Sequence, residues 1–370
     1  MRALIDLLSP VWELRPLLST EIEAERQEML RLTEEQFRLL DFLGRNRRVA
    51  ISGCAGSGKT TLAVEKARRL AEQGFRVLLT CFNVNLAEFL RGDETLPRHL
   101  DIVSFHKLAS DLCRRARLSY SGPADDRYFD EVLPEQLMRA VDQLGPQYEA
   151  IIVDEGQDFR DNWWLPLQCL LHDPDHGCLY IFFDDNQNLY HAAHRLPLEL
   201  APFPLTRNCR NTQQIHHSVM RFYRSDRTPE TQGPVGRPVE LYAYHEEQEL
   251  KRLLRQVLHH LVVEEGLSTT DVVVLTPKSR ERSCLWRLGM LGNFRLTDQW
   301  TAASGEVLCS TVHSFKGLES PVVILAEIEP HAAQDLESIL YVGYSRACHH
   351  LVALASAALP GDMQRRLASS

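Results

Sequence analysis

Residues 51–61 place the tightest limit on how this chain folds. They read Ile-Ser-Gly-Cys-Ala-Gly-Ser-Gly-Lys-Thr-Thr, which has the spacing of a phosphate-binding loop: glycine, four residues, glycine, lysine, and serine or threonine. An apolar run over 48–51 precedes the loop, and a helical pattern over 61–73 follows it. A chance match in a glycine-bearing turn occurs in roughly one chain in a hundred of this length. The flanking strand and helix make chance a weaker explanation still.

A loop of this kind holds phosphate through its backbone. The glycines allow successive N–H groups to converge on one anion, and the N-terminus of the following helix adds a positive dipole end. We expect Lys59 to reach the β- and γ-phosphates of a nucleotide and the Thr60 hydroxyl to hold Mg²⁺. The phosphate-binding residues predicted from this stretch are Gly53, Ala55, Gly56, Ser57, Gly58, Lys59, Thr60 and Thr61.

Two further buried-strand patterns end in polar residues. Residues 150–153 are aliphatic and are followed by Asp154 and Glu155. Opposite a phosphate loop, such a pair predicts Asp154 as a Mg²⁺ ligand, usually through water, and Glu155 as the group that polarises the attacking water. An acidic turn after any buried strand is the alternative. Gln187 follows the second strand, over 179–183, and is a candidate sensor of the γ-phosphate.

Composition indicates a soluble globular protein of about two domains. The chain has 370 residues, 44% of them hydrophobic and 25% charged, and a net charge of −9. A global nucleic-acid surface is therefore not indicated, and any such surface must be local. The nine cysteines are scattered without a CxxC pair, which favours core thiols in a reducing compartment. With no signal peptide or membrane span in the pattern, we expect a cytoplasmic protein with no membrane partner.

The chain alternates strands and helices, which predicts a doubly wound parallel sheet in each half. A helical N-terminal segment over 1–30 precedes a first domain over 31–204 that carries a short helical insertion at about 107–149. The segment is most simply a cap helix, and the alternatives are a docking segment or a remnant of a larger fused architecture. A second domain covers 205–370. Candidate strands of the first half are 48–52, 76–81, 101–105, 150–154 and 179–183; those of the second set are 203–206, 238–243, 271–275, 306–311, 321–326 and 350–354.

Taken in order, the motifs resemble those of the UvrD/Rep/PcrA group of superfamily 1 helicases. The form Asp-Glu-Gly-Gln-Asp at 154–158 is more specific than a bare Asp-Glu pair, and Leu-Tyr-Val-Gly-Tyr-Ser-Arg-Ala at 340–347 fits the last motif well. The segments that resemble the family's motifs are 32–36, 53–61, 79–83, 103–106, 154–158, 184–190, 205–210, 311–319 and 340–347. Nine partial matches in the family's order are far more specific than any one of them.

This resemblance implies two RecA-like doubly wound parallel-sheet domains, a P-loop NTPase fold, with ATP and Mg²⁺ bound in the cleft between them. It implies that Gln36 reads adenine and Glu319 holds the ribose. Arg210 and Arg346 would act as arginine fingers on the γ-phosphate. The implied catalytic set is Lys59, Asp154, Glu155, Gln187, Arg210 and Arg346, and the implied nucleic-acid contacts are Phe82, Asn83, His106 and His313.

The sequence also departs from the family pattern. Cys209 stands where the family has a tyrosine that stacks on adenine, and no tryptophan follows the motif at 184–190. Phe82 and His191 are candidates to supply the missing stacking, whereas Trp163 and Trp164 are expected in the core. Arg210 and Thr311, in the motifs at 205–210 and 311–319, are 101 residues apart, which leaves little room for the large accessory domain that the family inserts there. The adjacent histidine pairs, at 216–217, 259–260 and 349–350, diverge on any regular element and are expected to be structural.

Two functions remain open from the sequence. The first is an ATP-dependent 3′-to-5′ DNA helicase or single-stranded DNA translocase, with single-stranded nucleic acid as partner and DNA favoured over RNA. The alternative is a nucleic-acid-sensing ATPase module that regulates a protein partner such as a nuclease and does not unwind on its own. A small-molecule kinase with a phosphate loop does not account for the motifs at 311–319 and 340–347.

Overall fold

The computed structural model describes residues 16–119, 122–123, 125–184, 186, 196–197, 201–224, 228–300 and 305–368. Gln187 and His191, both singled out from the sequence, lie outside these residues. None of the described helices is both long enough and apolar enough to cross a membrane.

Helices and strands alternate through the described residues. The helices are α1 (Leu18–Phe42), α2 (Lys59–Glu72), α3 (Val84–Arg91), α4 (Phe105–Arg115), α5 (Leu133–Leu144), α6 (Asp161–Gln168), α7 (Gln213–Met220), α8 (Glu247–His259), α9 (Leu336–Tyr344) and α10 (Gly361–Ala368). The strands are β1 (Arg48–Gly53), β2 (Val77–Cys81), β3 (Leu100–Ser104), β4 (Ala150–Val153), β5 (Cys178–Phe183), β6 (Phe203–Leu205), β7 (Arg207–Asn208), β8 (Glu230–Thr231), β9 (Glu240–Tyr244), β10 (Val272–Thr276), β11 (Met290–Leu291), β12 (Phe294–Thr297), β13 (Glu306–Thr311), β14 (Ser320–Ile328) and β15 (Ala347–Ser356). Short 3₁₀ turns lie at Leu43–Arg45, Gly156–Asp158, Thr269–Asp271 and Leu285–Arg287, and π-helical turns at Tyr128–Val132 and His260–Glu264.

The first sheet has the order β3-β2-β4-β5-β1-β6, and all of its pairs are parallel. Its central strands are apolar on both faces because separate helical layers cover them. Leu78, Ile151 and Ile181 pack on one side with α4, α5 and α6. Leu79 and Ile152 pack on the other side with α1 and α2. This is the doubly wound arrangement that the uninterrupted aliphatic strands predict.

The strand predicted at 203–206 belongs to the first sheet and not to the second. The sequence pattern placed 203–206 in the second set, and this was wrong, because β6 pairs in parallel with β1 at the edge of the first sheet. Ile51 lies opposite Phe203 in this register. A three-residue strand carries no local signal that identifies its partner strand, so only the tertiary pairing reveals where it belongs.

The second sheet has the order β11-β12-β13-β10-β14-β15-β9. Its pairs are parallel except for the β11–β12 hairpin, which the sequence pattern missed because β11 has only two residues. Successive side chains of β10 point to opposite faces of this sheet. Val273 and Leu275 pack in the apolar layer on one face, and Val272 and Val274 pack in the layer on the other. A second doubly wound layer domain therefore follows the first, as predicted.

Helix α1 runs without interruption past residue 30, where the sequence pattern ended the N-terminal segment. Leu18 and Ile22, near its start, are buried in a core layer of the second sheet. Leu40, near its end, is buried against the first sheet. His349 of β15 contacts Glu25 of α1 at 2.8 Å. The helix therefore connects the two domains and is not a separate cap.

Candidate nucleotide-binding site

The phosphate loop lies between β1 and α2 and has the backbone shape that its glycines permit. Gly56 and Gly58 have φ values of 76° and 82°, in the left-handed region that side-chain-bearing residues avoid. A Cβ atom at Gly53 would lie 2.4 Å from Ser57 Oγ, so a side chain there would displace the Ser57 hydroxyl. The Ser57 hydroxyl donates to the Cys54 carbonyl at 2.7 Å and fixes the loop. Because α2 begins at Lys59, its first free N–H groups face the loop.

The Lys59 ammonium group lies inside this loop. Its Nζ donates to the carbonyls of Gly53 and Cys54, both at 2.7 Å, and contacts Asp184 Oδ2 at 3.3 Å. The side chain is buried, with 6% of its surface exposed. A cation held at the centre of a phosphate loop by neutral carbonyls and one carboxylate is placed to bind an arriving phosphate.

Asp154 lies directly after β4 and fits a divalent cation. Its side chain is fully buried, and neither carboxylate oxygen has a hydrogen-bond partner in the described part of the chain. Burial and the charge of nearby Glu155 together raise the pKa of Asp154 to about 7, and the side chain of Thr60 partly opposes this rise. A buried carboxylate beside a threonine hydroxyl is a hard-oxygen donor set of the kind that Mg²⁺ prefers. The residues present therefore fit the predicted metal.

Glu155 is held as a charged carboxylate. Burial acts to raise its pKa, but Lys316 and Lys59 outweigh burial and lower the pKa below the usual value. Its backbone has a φ of 53°, a left-handed conformation that is costly for a non-glycine residue and typical of functional positions. The Gln157 side chain donates a hydrogen bond to its carboxylate. A charged carboxylate at this point is able to polarise a water molecule.

The second domain completes the walls of the same pocket. A small space of about 30 Å³ is lined by Ala55, Gly56, Gly58, Lys59, Thr60, Thr61, Glu155, Gly317, Glu319 and Arg346. Arg346 is buried and donates to the carbonyls of Val342 and Leu318 at 3.1 and 3.3 Å. Its guanidinium group is thus fixed on its own domain while it faces the phosphate loop.

Arg210 and Glu319 form an ion pair next to this pocket. Arg210 Nη2 lies 2.7 Å and Nε 3.1 Å from the same Glu319 oxygen. The carboxylate raises the pKa of Arg210. Burial raises the pKa of Glu319, but Arg210 more than offsets burial and lowers it. Two residues to which the resemblance gives separate roles, on γ-phosphate and ribose, are therefore bound to each other.

A larger cleft of about 570 Å³ adjoins the pocket and shares Thr60, Thr61, Gly317 and Glu319 with it. Arg210 also lines this cleft. Much of the remaining wall is apolar and comes from α1, α2 and α3: Met29, Leu30, Phe37, Val64, Leu86, Phe89 and Leu90. The volume is in the range of small-molecule sites.

Gln36 on α1 contacts the back of the phosphate loop. Its Nε2 donates to the Ser57 carbonyl at 3.2 Å and to Cys209 Sγ at 3.3 Å. Its Oε1 is buried and has no hydrogen-bond partner among the described residues. Burial raises the pKa of Cys209 to about 11, so this residue is a neutral thiol and not a stacking surface. An unpaired carbonyl oxygen fits a ligand that presents an amino group, as adenine does.

The residues proposed for nucleic-acid contact are mostly engaged in packing. The Phe82 ring stacks on Trp163, with centroids 5.9 Å apart, and meets His106 edge-on. Burial, aided by Arg160, lowers the pKa of His106 to about 4. His106 is therefore neutral near pH 7 and offers no positive charge to a phosphate.

Asn83 and His313 complete this predicted set. The Asn83 side chain donates to the carbonyls of Ser314 and Lys316, at 3.1 and 2.8 Å, and so joins the first domain to the second. His313 is exposed on the neighbouring loop. Trp163 and Trp164 are 1% and 3% exposed, so the expectation that they are core residues is confirmed.

The adjacent histidines of β15 diverge, as the strand geometry predicts. His349 contacts Glu25 at 2.8 Å on one side of the strand, and His350 contacts Glu240 at 3.1 Å on the other. Within the residues that the structure describes, no group of three or more histidine, cysteine, aspartate or glutamate side chains is arranged to hold a metal ion.

The sequence reading missed a buried ion pair between the domains. Lys316 Nζ lies 2.6 and 2.8 Å from the two carboxylate oxygens of Asp158, and 4.0 Å from Glu155. Both partners occur in motifs identified from the sequence. Their opposite charges were the sequence signal that could have indicated an ion pair. Their separation along the chain gave no reason to pair them. The contact joins the acidic turn after β4 to the loop after β13.

Family models match both halves of the chain. The AAA domain matches residues 41–193, which include the phosphate loop and the Asp154–Glu155 pair. The C-terminal domain of UvrD-like helicases matches residues 306–354, which include Lys316, Glu319 and Arg346. The chain therefore carries an AAA domain followed by a region that matches the C-terminal domain of UvrD-like helicases. Its two sheets are accordingly the two RecA-like domains of a P-loop fold. Helicase and AAA families generally use a nucleotide together with a divalent metal ion.

Solved helicase structures resemble this chain only distantly. Arterivirus nonstructural protein 10, a helicase, has 15% identity and a TM-score of 0.42, and the alignment covers 86% of this chain and 61% of that one. The C-terminal domain of a possible DNA helicase from Lactobacillus plantarum has 20% identity and a TM-score of 0.33. The alignment covers 43% of this chain and 91% of that one. The chain therefore spans less than two thirds of the arterivirus protein. The comparison with curated proteins found no matching relative.

Proposed function

We propose that this chain is an ATP-driven motor on single-stranded nucleic acid, acting as a 3′-to-5′ DNA helicase or single-stranded DNA translocase. The observation that carries the proposal is the pocket lined from both domains. The phosphate loop and Glu155 form one wall, and Gly317, Glu319 and Arg346 form the other. Movement of one domain against the other changes this pocket, so hydrolysis and domain movement are linked.

The proposal gives each residue of the pocket a role. Lys59 and the loop amides bind the phosphates, and Thr60 with Asp154 holds Mg²⁺, which neutralises phosphate charge. Glu155 polarises the attacking water. Arg346 stabilises charge on the γ-phosphate from the opposite wall, and Arg210 joins it by exchanging Glu319 for phosphate. Gln187 is proposed as the γ-phosphate sensor on the basis of the sequence alone.

ATP is the proposed nucleotide because of Gln36. Its unpaired buried Oε1 needs a donor. Adenine presents an amino group at the position where guanine presents a carbonyl oxygen, so an adenine base satisfies this atom and guanine does not.

We propose a domain boundary near residue 204, with the first domain at 31–204 and the second at 205–370. The chain passes from β6, at the edge of the first sheet, to β9, at the edge of the second, and this change of sheet supports the boundary.

A second function is favoured by a separate observation. Phe82 and His106, which would contact nucleic acid, are packed against Trp163 and against each other. A surface of this kind grips bases weakly, since stacking contributes roughly 1–3 kcal/mol per base only when a ring is free to stack. The alternative is an ATPase module that senses nucleic acid and regulates a partner such as a nuclease without unwinding.

The ATPase rate tests the proposal when measured against single-stranded DNA, single-stranded RNA and duplex at one stated salt concentration, because salt controls such binding. We expect single-stranded DNA to stimulate hydrolysis most. Lys59→Ala should abolish hydrolysis, while Lys251→Ala, on α8 and outside the lining of both the pocket and the cleft, should leave it unchanged. Hydrolysis that no nucleic acid alters would contradict the motor function and leave an ATPase.

A strand-end displacement assay separates the two functions. In this assay a reporter bound at one end of a single strand is released only if the protein moves along the strand to that end. ATP-dependent release from the 5′ end supports a 3′-to-5′ motor. Binding and stimulated hydrolysis without release supports the sensing module.

A further inference from the structure

Tyr341 of α9 reaches from the second domain into the phosphate loop. The Ala55 N–H donates to the Tyr341 hydroxyl at 2.9 Å, and this hydroxyl lies 3.3 Å from Asp184 Oδ2. The tyrosine side chain is fully buried. Burial raises the pKa of Tyr341 far above its usual value, so the hydroxyl keeps its proton and remains a donor to Asp184. One hydroxyl thus joins two elements of the first domain.

Asp184 extends this contact to the loop lysine. The carboxylate lies just after β5 and is fully buried. Its Oδ2, which accepts from Tyr341, is also 3.3 Å from Lys59 Nζ. Its backbone N–H donates to the Gln157 side chain at 2.9 Å, and that side chain also binds Glu155. A continuous set of buried hydrogen bonds therefore runs from α9 to Lys59 and to the acidic turn.

Arg346 lies two residues beyond the end of the same helix. Helix α9 ends at Tyr344, and the Arg346 N–H donates to the Gly343 carbonyl at 3.3 Å. The Arg346 guanidinium donates to the Val342 carbonyl, one residue from Tyr341. Fixing Tyr341 on the phosphate loop therefore fixes the position of Arg346 relative to Lys59.

We propose that Tyr341 is a positioning residue: its hydroxyl, bound to Ala55 N–H and to Asp184, holds α9 and thereby Arg346 in register with the phosphate loop. This inference rests on the proposed hydrolysis of a nucleotide in the same pocket. It assigns the hydroxyl no contact with the nucleotide. Its loss should therefore slow turnover and leave binding, which the first domain provides, almost unchanged.

The chain offers a matched control three residues further along α9. Tyr344 is 1% exposed, and its hydroxyl has no hydrogen-bond partner among the described residues. Tyr344→Phe removes the same atom from the same helix without removing a hydrogen bond. Tyr341→Phe also keeps the ring and its packing, but it leaves the Ala55 N–H without its partner.

The test compares kcat, KM and the dissociation constant of a fluorescent ATP analogue for the full chain and these variants. Tyr341→Phe should lower kcat on the order of tenfold, the factor that one buried hydrogen bond contributes. The dissociation constant should change by less than about threefold, and Tyr344→Phe should match the parent chain. If the parent chain hydrolyses ATP and Tyr341→Phe has the same kcat, or loses binding as much as turnover, the inference is wrong.

Asp184→Asn provides an independent variant if Tyr341→Phe folds poorly. The neutral amide keeps the shape of the Asp184 side chain but removes its negative charge. The ion pair with Lys59, which competes with phosphate for the same ammonium group, is therefore weakened. We expect a lower kcat with nucleotide binding that is unchanged or tighter, which general damage to the fold would not produce. Weaker binding in Asp184→Asn would overturn the inference. A parent chain that fails to hydrolyse ATP would instead contradict the proposed function.

Discussion

Gly56 offers a sharp test of how the two domains fit together at the phosphate loop. It has a φ of 76°, and a Cβ atom built on it would lie 1.9 Å from Asn211 Oδ1 and 2.4 Å from Asn208 Nδ2. Both asparagines are fully buried. Asn208 donates to the Ala55 carbonyl at 3.0 Å and to Asn211 at 2.8 Å. Asn211 in turn donates to the carbonyls on either side of Arg346, at 3.1 and 2.6 Å.

The expected cost of Gly56→Ala follows from these contacts. The left-handed backbone costs a residue with a Cβ atom about 1–2 kcal/mol. The side chain also displaces the asparagine pair, and each buried hydrogen bond lost costs about 1–3 kcal/mol. Together these effects amount to about 3–5 kcal/mol, and each 1.4 kcal/mol is a factor of about ten. We therefore expect kcat/KM to fall by at least about a hundredfold if the loop must keep this register.

Steady-state ATPase measurements on the full chain test this prediction. Gly44→Ala is the matched control, because a Cβ atom there meets nothing within 4 Å, and it should behave as the parent chain does. Adding Asn211→Ala to Gly56→Ala removes the nearest clashing atom, so the double variant should lose less than the sum of the single variants. Wild-type kcat/KM in Gly56→Ala, or strictly additive losses, would refute the reasoning.

Three other outcomes are expected. The apparent dissociation constant of Mg²⁺, measured by thermal shift, should rise about tenfold when the pH is lowered from 8 to 6. The reason is that the pKa of Asp154 is about 7, so a proton competes with the metal for this carboxylate at the lower pH. Equal affinity at both pH values would contradict this prediction. Gln36→Leu should reduce the preference for ATP over GTP in kcat/KM, and an unchanged ratio would exclude Gln36 as the base reader. Ile22→Ala should destabilise the protein by about 2–5 kcal/mol in urea unfolding, whereas Leu30→Ala, 49% exposed, should have little effect; equal effects would argue against docking of α1 on the second domain.

Local patterns in the sequence predicted the parts of the fold that local forces determine. The aliphatic runs that became β1, β4 and β10 were found because strands covered on both faces are apolar throughout. The glycine spacing predicted a backbone that bends around a phosphate, and Gly56 and Gly58 have the left-handed conformation that glycine alone adopts at low cost. These features depend on a few neighbouring residues, so they are readable without the tertiary structure.

Contacts across the interface could not be predicted in the same way. Tyr341 fits a helical core pattern, and nothing near it in the sequence shows that its hydroxyl meets Ala55. Lys316 and Asp158 are both charged residues in recognised motifs, but their pairing depends on how two domains meet. The continuity of α1 past residue 30 was missed for the same reason, since its first half is stabilised by the second sheet and not by its own periodicity.

Arg346 provides the most direct test of the claim that two domains form one hydrolytic site. It lies in the second domain, buried on the wall opposite the phosphate loop. Single-turnover hydrolysis by Arg346→Ala, measured at saturating ATP and single-stranded DNA, should be slower by about 10³-fold or more, while the dissociation constant of nucleotide changes only a few-fold. Hydrolysis at the parent rate in this variant would show that the first domain turns ATP over without the second.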